Sequence, residues 1–376
     1  MRLVVDENLP WIEDFFATSA EVVRLPGSEI RRQDLLHADG LLVRSVTPVN
    51  AELLQGTPVG FVGTATIGVD HIDQAWLQQA GIQFASAPGC NADSVVDYVL
   101  SSLLWLAQER GFTLKEQTLG IVGVGQVGSR LARRLKDYGC RLLLNDPPRE
   151  AAGEAGFVPL EQLLQEADIL CLHTPLTRTG PFPSEKLLGE QELRQLQGKI
   201  LLNAGRGAVI DQVALKKQLE AGLQLTLLLD VFAGEPELDA ELLDCCDLAT
   251  PHIAGYSLEG KSRGTQAIYR AWCDYQQQPA DKSLEDFLPP PPVECLELNP
   301  GWSPEEACRR AALLVYDPRA DAARLRLALQ QLPSAEAYQQ LRKNYPLRRE
   351  FSSLQVEASD PQQAAALRAL GFLLKP

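Results

Sequence analysis

The chain has 376 residues, 45% of them hydrophobic and 22% charged, with a formal net charge of −14. That length exceeds one ordinary core and predicts two or three domains, and the composition is that of a folded globular chain rather than a disordered one. The charge argues against a nucleic-acid partner, whose phosphates the average surface would repel, and no apolar run approaches the length that spans a bilayer.

The N-terminus, MRLVVDENLPW, places Asp6 and Glu7 where a signal peptide needs an unbroken apolar stretch, so a cytoplasmic protein is expected. Short apolar runs at 3–5, 40–43, 59–63 and 83–85 read as buried strands, each followed by turn or capping residues. Residues 92–108 read as one long helix with Val95, Val96, Val99, Leu103, Leu106 and Ala107 on its apolar face. Continuous apolar strands alternating with helices predict a parallel sheet covered on both faces.

A second alternating series begins at Thr118. Strand 119–122 runs into GVGQVG, and the helix that follows carries Val127, Leu131, Leu135 and Tyr138 on one face. Further strands are expected at 141–144, 168–172, 199–203, 225–231 and 248–249. Near residue 285 the proline-rich run FLPPPPVECLELNP reads as a stiff linker. Beyond it lies an arginine-rich stretch of short helices and strands, expected to form a small α+β domain whose basic residues face solvent, an interface or an anion. The eight cysteines are scattered, without a C-x-x-C pair or histidines at zinc-ligand spacing, which predicts free thiols and no metal site.

The glycine loop gains weight from its context: it follows a strand, opens a helix, and is followed by a carboxylate at the end of the next strand. Gly123 permits the tight turn, Gly125 lets backbone N–H groups approach a pyrophosphate, and Gly128 lets the helix pack closely on the sheet. Gln126 and Val127 complete the loop and the first helical turn, where the helix dipole favours an anion. Asp146 is placed to accept the hydroxyls of an adenosine ribose and would repel a 2′-phosphate, so NAD is expected over NADP, with Arg149 near enough to leave that open.

Three residues at strand ends divide a hydroxy-acid dehydrogenation between them. Arg206, in LLNAGRGAVID, has the planar fork that grips a carboxylate. Histidine, as a residue type, has an ordinary pKa near working pH and suits proton transfer at a hydroxyl, and His252 stands in ATPHIAG. Glu235, in LLLDVFAGEP, is the carboxylate that would orient that histidine. Ligands of doubly wound sheets gather at the carboxyl ends of strands, so the three loops are expected to converge.

The ordered segments GIVGVGQVG, HTPLT, LLNAGRGAVID, LDVFAGEP and TPHIAG resemble the D-isomer-specific 2-hydroxyacid dehydrogenases over about residues 1–280. The resemblance implies an α/β protein of two doubly wound parallel-sheet domains. A Rossmann NAD domain at 94–253 is inserted in a split substrate domain at 1–93 and 254–285. It also implies the carboxylate-binding, orienting and proton-transferring roles of Arg206, Glu235 and His252. Thr174, Ala204, Asp230 and Gly255 are expected beside the cofactor.

The segments VRSVTPVN, GTATIGVDHID and APGCNADSVVDYV, with the tail, resemble a branch that oxidises a small phosphorylated hydroxy acid. That branch carries a C-terminal dimerisation domain, here expected at 286–376, and the resemblance implies a homodimer. Ser45, Thr66 and Tyr256 offer hydroxyls to such a substrate. Its phosphate could be met by Arg44, Lys261, Arg263 or a tail arginine of a partner subunit. Two rivals stay open: another family member of the 3-phosphoglycerate or hydroxypyruvate type, and a non-catalytic NAD-sensing binding protein.

Overall fold

The computed structural model describes residues 1–375 and divides into two compact units: Met1–Asp93 with Tyr256–Pro290, and Ser94–Gly255 with the segment that begins at Pro291. The first unit is built on a parallel sheet of five strands: β1 (Arg2–Asp6), β2 (Glu21–Leu25), β3 (Gly40–Val43), β4 (Phe61–Thr64) and β5 (Gln83–Ser86). Their order is β2-β1-β3-β4-β5. Strand β2 escaped the sequence reading because it lies at the sheet edge and is only half-buried, so its apolar run stops at Val22-Val23. One face of the sheet is covered by helix Leu258–Tyr275, whose Trp272 meets Phe61 edge-on with centroids 5.4 Å apart.

The second unit contains a six-stranded parallel sheet: β6 (Thr118–Val122), β7 (Arg141–Asn145), β8 (Ile169–Leu172), β9 (Ile200–Asn203), β10 (Thr226–Leu229) and β11 (Leu248–Ala249). Its order, β11-β10-β9-β8-β6-β7, reverses direction at β6, and the carboxyl ends of β6 and β8 flank that reversal. A crevice forms there because successive helices leave to opposite faces of the sheet. Strands β6, β8 and β9 are buried on both faces, which is why they read as unbroken apolar runs.

From Pro291 onward the chain forms a three-stranded parallel sheet, β12 (Cys295–Glu297), β13 (Gln355–Glu357) and β14 (Leu373–Leu374), and four helices among the described residues. Three of these, Pro304–Val315, Pro318–Gln331 and Pro361–Leu370, start with the same device. Ser303, Asp317 or Asp360 caps free N–H groups, and proline occupies the first turn, where its missing N–H is not needed. Helix Pro361–Leu370 packs against helix Gln126–Tyr138, so the segment expected as a dimerisation domain belongs by its packing to the second unit. None of the eight cysteines is in a disulfide. Among the described residues no helix is long and apolar enough to cross a membrane.

Candidate active site

The glycine loop after β6 separates two kinds of requirement. Gly123 has φ +86°, and a Cβ there would lie 2.7 Å from the Thr174 amide nitrogen. A Cβ on Gly128 would lie 2.1 Å from the Gly123 carbonyl oxygen, so this glycine lets the helix start against the loop. At Gly125 a Cβ would meet nothing within 4 Å, which leaves the space over the loop and the helix N-terminus open to a pyrophosphate. Gln126 is exposed and Val127 half-buried at that N-terminus.

Asp146, at the end of β7, accepts from the Val124 amide at 2.7 Å and from the Arg149 amide at 3.2 Å. The loop thus fixes its carboxylate beside the glycines. Arg149 donates to the Val124 carbonyl at 2.6 Å and from Nε to Glu154 at 2.9 Å, so its charge is balanced locally. Across the crevice, Thr174 Oγ1 and both ring nitrogens of His173 are buried without a hydrogen-bond partner. Orphaned polar atoms beside an open glycine loop and a fixed carboxylate fit a dinucleotide with two free ribose hydroxyls. Burial pushes the His173 imidazole down to about 4, so the ring is neutral at pH 7.

Arg206 follows β9. The turn that presents it is held by buried Asn203, whose Oδ1 accepts from the Gly205 amide at 3.0 Å and whose Nδ2 donates to the Arg206 carbonyl at 3.0 Å. Ala204 is half-buried within this turn. A Cβ on Gly207 would fall 2.0 Å from the Phe232 carbonyl carbon. The Arg206 turn therefore lies directly on the backbone that leads to Glu235, and no larger residue than glycine permits that approach.

Glu235 and His252 are in contact: His252 Nδ1 lies 2.8 Å from Glu235 Oε2. Glu235 Oε1 accepts from the Phe232 amide at 2.7 Å, which fixes the carboxylate plane. Burial pushes the Glu235 carboxyl up, but the neighbouring imidazole and the bonds from His252, Tyr338 and the Phe232 amide outweigh it, and the net direction is downward. His252 has φ 55°, a left-handed conformation that costs a residue with a Cβ about 1–3 kcal/mol. Asp230 holds it there. The His252 amide donates to the Asp230 carbonyl at 2.7 Å, and the buried Asp230 carboxylate accepts from the amides of Ile253 at 2.8 Å and Ala254 at 2.9 Å and from Thr250 Oγ1 at 2.6 Å. Gly255 follows directly. The Asp230 side chain, expected at the cofactor, is thus given to the turn that carries the histidine.

Two residues beyond Pro291 reach this site: Tyr338, which the sequence did not single out, and Arg348, which it marked only as one of the tail arginines. Tyr338 donates its hydroxyl to Glu235 Oε2 at 2.7 Å. Arg348 is buried, donates to the Ala254 carbonyl at 3.0 Å and to the Ser94 carbonyl at 2.6 Å, and lies 3.6 Å over the Tyr316 ring. Of the tail arginines expected at solvent, an interface or an anion, Arg348 and Arg349 are instead buried, with the two Nη groups of Arg348 donating to carbonyls and its guanidinium lying over an aromatic face.

The candidate substrate residues Ser45, Thr66 and Tyr256 lie in the first unit. Ser45 is exposed in the turn after β3, and Thr66 follows the adjacent strand β4, donating to the Gly68 carbonyl at 2.8 Å. Lys261 Nζ sits 4.4 Å over the Tyr256 ring. The cations considered for a phosphate each have a contact within this unit: Arg44 pairs with buried Asp6 at 3.1 Å, and Arg263 donates to the Cys90 carbonyl at 2.7 Å.

Comparison with known proteins shows the family of the chain. A family model described as the D-isomer specific 2-hydroxyacid dehydrogenase NAD-binding domain matches residues 97–254, and a domain of unknown function matches residues 287–371. An erythronate-4-phosphate dehydrogenase of Pseudomonas syringae pv. syringae is 50% identical, with 100% of both chains covered. Its counterpart in Salmonella paratyphi A is 50% identical over 99% of this chain and 98% of the relative. The crystal structure of NAD-bound 3-phosphoglycerate dehydrogenase from Entamoeba histolytica superposes with a TM-score of 0.63, covering 77% of this chain and 99% of the other at 23% identity, a likeness of fold. The chain belongs to the D-isomer-specific 2-hydroxyacid dehydrogenase family, in the branch of the erythronate-4-phosphate dehydrogenases, and its cofactor is NAD.

Proposed function

We propose that the protein oxidises 4-phospho-D-erythronate at C2 to (R)-3-hydroxy-2-oxo-4-phosphobutanoate, a step towards pyridoxal 5′-phosphate, with Arg206, Glu235 and His252 as its working residues. The observation that carries this reading is the His252–Glu235 contact at 2.8 Å, on loops adjoining that of Arg206 in the unit that bears the dinucleotide loop. With Nδ1 committed to the carboxylate, Nε2 is the nitrogen left to take a proton. His252 removes the C2 hydroxyl proton as the C2–H bond breaks and the carbonyl forms. Bound NAD supplies the acceptor for the hydride and its electron pair. Glu235, ionised, stabilises the imidazolium as it develops, and Arg206 holds the substrate carboxylate through paired N–H groups.

Gly123, Gly125, Gln126, Val127 and Gly128 would line the pyrophosphate, and Asp146 would hold the adenosine ribose. Thr174, Ala204, Asp230 and Gly255 are assigned to the nicotinamide end, Asp230 through the turn it holds. Ser45, Thr66 and Tyr256 are assigned hydroxyl contacts to the substrate. The protein is further proposed to work as a cytoplasmic homodimer joined through the segment after 286, and sedimentation of the intact chain at its monomer mass would refute the dimer.

The substrate is tested by NADH absorbance with 4-phospho-D-erythronate, 3-phospho-D-glycerate and D-lactate in parallel, with a 2-oxo acid added to reoxidise bound NADH. Turnover confined to the erythronate and lost in His252→Ala is expected. Turnover on phosphoglycerate instead would move the assignment to another substrate of the family.

A further inference from the structure

The carboxylate behind the histidine has a partner from outside the dinucleotide fold. Helix Ser334–Lys343 is pinned to the loop after β10 at two points. The Leu238 amide donates to Ser334 Oγ at 2.7 Å, and one turn further along the Tyr338 hydroxyl donates to Glu235 Oε2 at 2.7 Å. The same oxygen faces His252 Nδ1 at 2.8 Å, so histidine and tyrosine share one carboxylate oxygen while Oε1 is taken by the Phe232 amide. Tyr338 is buried, and its ring packs in the apolar core of the second unit. Arg342, one turn on, donates to the Tyr338 oxygen at 3.3 Å and lies 5.1 Å over its ring.

We propose that Tyr338 is a positioning residue for the dehydrogenation, sharing Glu235 Oε2 with His252 and so setting how tightly the histidine holds the proton it takes. This rests on the roles of Glu235 and His252 given above. The physics is competition for one anionic oxygen: a hydroxyl donating to it draws off part of the charge that the imidazolium would otherwise feel. The hydroxyl remains a donor throughout, because burial pushes it well above the ordinary tyrosine range; Arg342 opposes that shift and the Glu235 charge adds to it. Other charged groups near the pair are Arg342 on the tyrosine's own helix, Arg206, whose turn lies on the backbone leading to Glu235, and the buried Asp230, whose carboxylate is occupied by the 250–254 turn. The 3-phosphoglycerate dehydrogenase structure covers 77% of this chain, and Tyr338 lies in the segment that follows the proline-rich run, so on this proposal that segment serves the chemistry as well as packing.

The test is the pH dependence of kcat/KM for oxidation in the full-length protein and in Tyr338→Phe, which keeps the ring and removes only the hydroxyl. Histidine must be unprotonated to act as base, so the acidic limb reports how firmly it holds its proton. Without the tyrosine, Oε2 holds the imidazolium harder, and the limb is expected to move to higher pH by about half a unit, a roughly threefold change in the proton equilibrium. Arg342→Gln should move it the same way by less. In a Glu235→Gln background Tyr338→Phe should move it no further, and the KM for NAD should stay within about twofold throughout. A limb unmoved in Tyr338→Phe while Glu235→Gln lowers kcat/KM would overturn the proposal and leave the catalytic reading standing. A lowered melting temperature with an unmoved limb would assign Tyr338 to packing alone and also overturn it. Full activity in both Glu235→Gln and His252→Ala would instead remove the reading on which it rests.

Discussion

His252 shows what the site demands of a single residue. It takes a left-handed backbone that histidine adopts only under constraint, and the constraint is the buried Asp230 carboxylate with its three donors. That role could not be read from LLLDVFAGEP, because an aspartate at the end of a strand looks equally suited to a cofactor hydroxyl. His173 carries the opposite lesson: it stands beside the dinucleotide loop, yet its ring nitrogens are buried and unpaired. Its folded value of about 4 lies below the ordinary 6.5, so the unfolded chain binds the extra proton between those values. Stability from this group is therefore present above about pH 6.5 and lost as pH falls towards 4. The loss amounts to about 3 kcal/mol. Urea unfolding at pH 7 and pH 4 should show the gap between wild type and His173→Gln closing by most of that amount at the lower pH. A gap independent of pH would mean that the ring is not held neutral.

At the scale of elements, the glycine loop separates folding from binding. Gly128→Ala forces a Cβ to within 2.1 Å of a backbone oxygen and should lower the melting temperature. Gly125→Ala has open space and should leave that temperature nearly unchanged while weakening NAD binding about tenfold or more, measured by calorimetry. Equal melting temperatures for the two variants would contradict this division. Strands β3, β6, β8 and β9 were legible because burial on both faces writes an unbroken apolar run. Strand β2 was not, since an edge strand with one half-buried face needs few apolar residues. The contact between the Arg206 turn and the Glu235 loop was legible only as an expectation that strand ends converge. What fixes it, Gly207 against the Phe232 backbone, looks in LLNAGRGAVID like any other loop glycine.

On the scale of the molecule, the sequence marks the segment after 286 as an addition to the dinucleotide fold but says nothing of its depth of contact. Tyr338 sits in SAEAYQQLRK at a spacing that reads as an ordinary apolar face, and Arg348 in YPLRREF reads as surface charge. Both are buried within the second unit, where one meets the Glu235 carboxylate and the other the carbonyls just past His252. Such long-range satisfaction of polar groups carries no local signature, because the partners stand about a hundred residues apart in the chain. The three catalytic candidates were legible for a different reason: each chemistry accepts few side-chain types, and each stood just past a buried strand.

The most direct test of the account follows the hydrogen itself. The protein is incubated with NAD and 4-phospho-D-erythronate carrying deuterium at C2, and the reduced cofactor is examined by mass spectrometry. One deuterium is expected in the NADH formed by the wild-type protein, and no NADH from His252→Ala. NADH free of deuterium, or equal turnover without the histidine, would contradict it.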